Sequence, residues 1–87
     1  MPYYIAVYDV NQKRVGKMLK LFRRYLNWVQ NSVFEGELTI SQHKRLWQEA
    51  DEMMKDEDGV IFYQLRDELY VDRQVLGKEK SKINRML

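Results

Sequence analysis

Two kinds of hydrophobic spacing alternate along this chain, and their order constrains the fold more than any other feature. Tyr3-Tyr4-Ile5-Ala6-Val7-Tyr8 is aromatic and β-branched, the composition of a strand. Val15, Met18, Leu19, Phe22, Tyr25 and Leu26 then recur at spacings of three, four and seven, which gathers them on one helical face. Asn11 is placed to cap that helix. Trp28 to Phe34 reads as a second strand and Glu35-Gly36 as a turn, with Gly36 free to take a positive φ. Glu37-Leu38-Thr39-Ile40 reads as a third strand. Ser41 is the expected cap of a second helix, whose apolar positions are Leu46, Trp47, Ala50, Met53 and Met54. Val60-Ile61-Phe62-Tyr63-Gln64-Leu65 is nearly continuous in apolar residues, which predicts a central, buried strand. Tyr70 to Leu76 alternates imperfectly and reads as a weaker fifth strand.

The resulting order, β-α-β-β-α-β plus one strand, predicts an α+β fold of the ferredoxin-like kind: an antiparallel sheet with two helices on one face. Residues 1–77 would form this domain and residues 78–87 a basic C-terminal tail. With both helices on one side, the other sheet face would expose aromatic residues, and such a patch marks an interface. The expectation is a homodimer, sheet against sheet, with the fifth strand extending the partner's sheet edge. At 87 residues the chain makes one small domain with a limited core. It has no Cys, hence no disulfide framework and no thiolate metal site, which fits a reducing cytosol. No apolar stretch approaches the roughly 20 residues of a membrane span, and Met1-Pro2-Tyr3-Tyr4 lacks the pattern of a signal peptide.

Charge is unevenly spread. Of 13 acids, 12 come at Glu35 or later, and the remaining one is Asp9. Between Asp9 and Glu35 lie six bases and no acid: Lys13, Arg14, Lys17, Lys20, Arg23 and Arg24. Lys13, Lys17, Lys20 and Arg24 share one helical line, away from the apolar face. Lys13 and Arg14 occupy the first helical turn, where the macrodipole disfavours cations. A phosphate docked near the free N–H groups of the helix start would make that placement favourable. The alternatives are a solvated helix face and a membrane-surface helix, and the segment's position between two strands argues against the latter. The segment therefore points to nucleic acid as a partner.

Asp9 would stand at the rim of the sheet, where strand one ends. One carboxylate there could bind a hard cation such as Mg²⁺, which takes oxygen ligands and retains several waters. One Asp makes a poor site alone, and two copies across a dimer axis a better one. The competing role for Asp9 is to cap the first helix. Other candidates are weaker. His43 is the only His, has no companion nucleophile and reads as a surface residue. Asp56-Glu57-Asp58 lacks the spacing of a calcium loop and reads as a solvated turn. The aromatic signature of an RNA-recognition motif is missing from strand three, and no Gly-rich phosphate loop is present.

Tyr4-Ile5-Ala6-Val7-Tyr8-Asp9-Val10, the basic helix, and Val29-Gln30-Asn31-Ser32-Val33-Phe34-Glu35-Gly36 resemble the CRISPR-associated protein two family. The likeness runs from Tyr3 to about Leu76. It implies a ferredoxin-like homodimer that exchanges its last strands. It implies an Mg²⁺-dependent endonuclease, acting on single-stranded RNA and in some members on double-stranded DNA. It also implies a part in spacer acquisition, as the dimer that bridges CRISPR integrase subunits and holds incoming DNA. By this resemblance Asp9 is the metal-binding and catalytic acid and Tyr8 its catalytic neighbour. Lys13 and Arg14 match the family's basic residues early in helix one, and Ser32 and Phe34 its motif Ser and Phe; with Lys17 of the basic line, these four would contact nucleic acid. Some members carry Arg where this chain has Trp28. Three functions follow as expectations: the nuclease, a non-catalytic architectural dimer that binds DNA, and a toxin-like nuclease cutting messenger RNA.

Overall fold

The computed structural model describes residues 1–66. The expected fifth strand, its exchange, the boundary at residue 77 and the tail at 78–87 lie outside the described residues. Within them the chain runs β1 (Tyr3–Asp9), α1 (Gln12–Arg23), β2 (Asn27–Gln30), β3 (Val33–Glu37), α2 (Ile40–Met53) and β4 (Gly59–Leu65). The sheet order is β2-β3-β1-β4, with every neighbouring pair antiparallel. This is the ferredoxin-like arrangement that the spacing predicts.

Alternation along β1 decides where the core lies. Tyr4, Ala6 and Tyr8 face the helices and are buried, together with Phe34 of β3. Met18, Leu21 and Phe22 of α1 and Leu46 and Ala50 of α2 close over them. Phe22 touches three other rings: Tyr8 at 5.2 Å, Phe34 at 5.5 Å and Phe62 at 6.0 Å between centroids. Each large side chain so buried contributes about 1.5–3 kcal/mol. The buried arc of α1 differs from the expected stripe, because Leu21 is buried whereas Val15 is 39% exposed.

The hairpin departs from expectation. Its turn is Asn31-Ser32, not Glu35-Gly36, and Asn31 takes φ 44°, a conformation Asn tolerates better than most residues. Glu35 and Gly36 instead continue β3, opposite Ile5 and Tyr4. Glu35 is buried and accepts a hydrogen bond from the Tyr3 hydroxyl at 2.6 Å. A Cβ at Gly36 would lie 3.3 Å from Leu26 Cδ2, so a side chain there would require Leu26 to move by a few tenths of an ångström. The helix α2 starts earlier than expected. Thr39, not Ser41, is its cap and forms a reciprocal capping box with Gln42.

β4 is not central. It stands at the sheet edge among the described residues, and it alternates: Val60 and Phe62 pack on the core while Ile61 and Tyr63 are 55% and 54% exposed. Trp47 is likewise 54% exposed rather than buried. His43 is not a plain surface residue. Its ring stacks on Tyr4 at 4.4 Å and meets Phe62 edge-on at 4.8 Å, and its buried Nε2 meets no hydrogen-bond partner among the described residues. Burial lowers its pKa. Below the ordinary His value of about 6.5 the unfolded chain therefore takes up a proton that the folded one resists, and stability falls with pH. Urea midpoints measured from pH 7.5 to 5 should decline, and His43→Phe should flatten that decline. An unchanged slope in the variant would rule His43 out as its source.

Candidate functional site

Four chain segments meet at the end of β1: the start of α1, the Asn31-Ser32 turn, the Asp56–Asp58 turn and Asp9 itself. Asp9 is exposed and lies opposite Gly59, the first residue of β4. A Cβ on Gly59 would meet nothing within 4 Å, so the space beside Asp9 is open. Asp9 does not cap α1. That role falls to Asn11, whose Oδ1 accepts from the Lys13 N–H at 2.9 Å.

Asp58 holds the start of α1 in place. Its side chain is fully screened from solvent, so the Asp56–Asp58 turn is not simply solvated. It accepts from Arg14 Nε at 2.6 Å and Nη2 at 3.1 Å, from the Asn11 N–H at 2.8 Å and from the Lys55 N–H at 3.0 Å. Arg14 also donates to Glu57 at 3.1 Å. The Arg14 guanidinium first of all, helped by the two backbone donors, holds the Asp58 carboxyl well below the usual carboxylate range. Arg14 is thus committed to carboxylates, and what it supplies directly is the placement of α1. The sequence carries no local sign of this pair, because 44 residues separate its members.

The other expected site residues fall into two groups. Lys13 and Lys17 are exposed on α1, followed along the same line by exposed Lys20, and none of the three has an ion-pair partner among the described residues. Ser32 is half-buried in the turn, and its carbonyl accepts from the Tyr8 N–H at 3.2 Å, which ties the turn to the Asp9 end of β1. Tyr8 and Phe34, in contrast, are core residues. Phe34 is 0% exposed and stacks on Tyr8 at 5.9 Å. The Tyr8 hydroxyl is buried without a hydrogen-bond partner among the described residues, and burial raises its pKa, so it keeps its proton. In this arrangement both support the site from within rather than touch a ligand.

Among the described residues, acids pair with bases on one flank of the cationic line only. Arg24 pairs with Glu49 of α2 at 3.2 Å, and Glu49 also accepts from the Tyr25 hydroxyl at 2.6 Å. On the opposite flank the exposed Arg23 lies over the half-buried Trp28 ring, 5.7 Å from its centroid. Sequence reasoning missed this pair, since neither residue signals the other. Among the described residues no group of three or more His, Cys, Asp or Glu is gathered to hold a metal. Asp9 belongs to no such group. No helix among them is long and apolar enough to cross a membrane.

The family described as CRISPR associated protein Cas2 matches residues 1–73. The chain belongs to this family. Among its curated relatives is the CRISPR-associated endoribonuclease Cas2 of Dictyoglomus turgidum, 48% identical over 86 residues, which cover 98% of this chain and 99% of that protein. Another, with the same name, is from Thermotoga maritima, 46% identical over 80 residues, covering 91% and 92%. Solved structures agree. A crystal structure of cas2 superposes with a TM-score of 0.86 at 40% identity and covers 99% of this chain and 98% of that one. Streptococcus pyogenes Cas2 at pH 6.5 gives 0.77 at 28% identity, with 86% and 99% covered. Membership in the Cas2 family and its α+β fold match the resemblance read from Tyr8-Asp9 and the Gln30–Gly36 stretch.

Proposed function

We propose that this protein is a metal-dependent endonuclease of CRISPR-based antiviral defence that works as a homodimer in the cytoplasm. The observation that carries the reading is the exposed Asp9 carboxylate beside open space at Gly59, at the head of a cationic helix line. The names of the relatives make RNA the first substrate to test. Ile61 and Tyr63, exposed on the helix-free sheet face, supply the surface on which a second copy would pack.

Mg²⁺ fits such a site, since it binds through one or two carboxylates and keeps waters. Asp9 from each protomer would hold it across the dimer axis. When bound, the ion lowers the pKa of a water and offsets charge on the phosphate. The protein's own contribution is placement. Lys13 and Lys17 hold the phosphate backbone, Ser32 borders the same end of β1, and the Arg14–Asp58 pair keeps α1 in register with Asp9. Such phosphate contacts give affinity with little sequence choice.

A second reading has its own support. The Lys13-Lys17-Lys20 line is complete in one chain and needs no metal, whereas Asp9 belongs to no group of three or more metal-ligating side chains among the described residues. That favours a platform that holds DNA and bridges integrase subunits during spacer acquisition. Cleavage and binding measured together separate the two. Excess chelator should stop cleavage of single-stranded RNA while leaving binding intact, and added Mg²⁺ should restore it. Cleavage that persists in chelator would sink the nuclease reading and leave the platform.

A further inference from the structure

At about 100° per residue, Lys13, Lys17, Lys20 and Arg24 form one line on α1, with Arg14 on one flank and Arg23 on the other. The Arg14 flank is closed by carboxylates: Asp58 and Glu57 hold Arg14, and Glu49 holds Arg24. A polyanion lying along the line is repelled from that side. Among the described residues no acid pairs with Arg23, which lies over Trp28 of β2, the edge strand beyond β3. Trp28 is held in orientation, because its indole Nε1 donates to the Asn31 carbonyl at 2.9 Å. The neighbouring Ser32 carbonyl bonds to Tyr8 N–H, one residue from Asp9. Trp28 is therefore linked through a single turn to the Asp9 end of β1. Exposed Asn31, whose carbonyl holds the indole, carries an amide that can meet the polar edge of a base.

We propose that Arg23 and Trp28 form a stacking subsite for an unpaired nucleobase, on a strand whose phosphates run along Lys13, Lys17 and Lys20. Aromatic rings and guanidinium planes are the groups on which single-stranded bases stack, and a base inside a duplex does not present a free face. The subsite deepens the nucleic-acid reading above and rests on it: it selects single strands at the site.

The test reads binding, not cleavage, so it stands apart from the fate of Asp9. In a Trp47→Phe background Trp28 is the one indole, and its fluorescence should quench on titration with a single-stranded oligoadenylate RNA. Arg23→Lys keeps the charge but loses the plane. It should weaken single-strand binding about tenfold, leave the salt dependence unchanged, and leave duplex DNA binding unchanged. Trp28→Ala should do the same, and Trp28→Phe should recover most of the loss. Lys17→Ala should weaken single strand and duplex alike and reduce the salt slope. Single-strand affinity unchanged in Arg23→Lys, or equal losses for single strand and duplex, would overturn the subsite. No response to Lys17→Ala would instead refute the nucleic-acid reading beneath it. Arg23→Lys is an exposed substitution and keeps the test decisive if Trp28→Ala fails to fold.

Discussion

Asp9→Asn should cleave single-stranded RNA at least about a hundredfold more slowly than the native protein, because a lost metal ligand removes several kcal/mol of transition-state stabilisation. Folding should be untouched. Asp9 is exposed, does not cap α1, and sits opposite a glycine that offers no side chain. Affinity for RNA should also survive, since the cationic line on α1 is unchanged. The proposed pairing of two Asp9 residues makes a sharper prediction. When native and Asp9→Asn chains are mixed and allowed to exchange, activity should fall with about the square of the native fraction, because one native carboxylate does not complete the site. A linear fall would mean that each protomer cleaves alone. Spacer acquisition should be scored in the same variant. Acquisition retained while cleavage is lost would separate the integration platform from the nuclease. Acquisition lost with DNA binding and assembly intact would count against a purely architectural dimer.

Asp58→Ala should lower the thermal midpoint by about ten degrees or more, the range expected when a screened, hydrogen-bonded ion pair loses one partner. The change strips acceptors from Arg14, from the Asn11 N–H at the helix start and from the Lys55 N–H. It also leaves Arg14, 19% exposed, with only Glu57 at the rim. Arg14→Ala with Asp58→Ala should therefore be milder than Asp58→Ala alone, because the double variant leaves no stranded charge. Acid should act in the same direction as the single variant. The folded carboxyl holds its proton less readily than the unfolded one, so the pair's contribution is fully present above about pH 4 and is lost as pH falls below it. Midpoints measured between pH 6 and 2.5 should show that loss in the native protein and not in Asp58→Ala. Because Asp58 directly precedes Gly59, the residue opposite Asp9, surviving protein should also cleave poorly. Normal cleavage by folded Asp58→Ala would show that the placement of α1 is not needed.

Element type and order were legible because each depends on local spacing. β1 and α1 could be read from their own residues, whereas Asn11 and Asp9 were both cap candidates for α1 and the folded chain gives that role to Asn11. What misled was any boundary set by pairing. Glu35-Gly36 carries turn chemistry, yet β1 offers a row of partners that draws both residues into β3, while Asn31 absorbs the reversal. Val60 to Leu65 is apolar enough for a central strand, but sheet order, not composition, placed β4 at the edge among the described residues and left Ile61 and Tyr63 exposed. Candidate site residues divide the same way. The acid-free segment and Asp9 are visible in the chain. That Phe34 and Tyr8 face the core, and that Arg14 belongs to Asp58, depends on contacts between distant segments.

The sequence by itself determined the order of strands and helices, the cationic character of α1 and the family, since hydrophobic period, charge and the Tyr8-Asp9 and Gln30–Gly36 stretches are properties of neighbouring residues. Only the tertiary structure decided which charges remain available. Folding brings Glu49, Glu57 and Asp58 against one flank of α1, so Arg14 and Arg24 are paired while Lys13, Lys17 and Lys20 stay open toward Trp28. Ion pairs act over a few ångströms of space, and the 44 residues between Arg14 and Asp58 are closed only by packing the helix on the sheet.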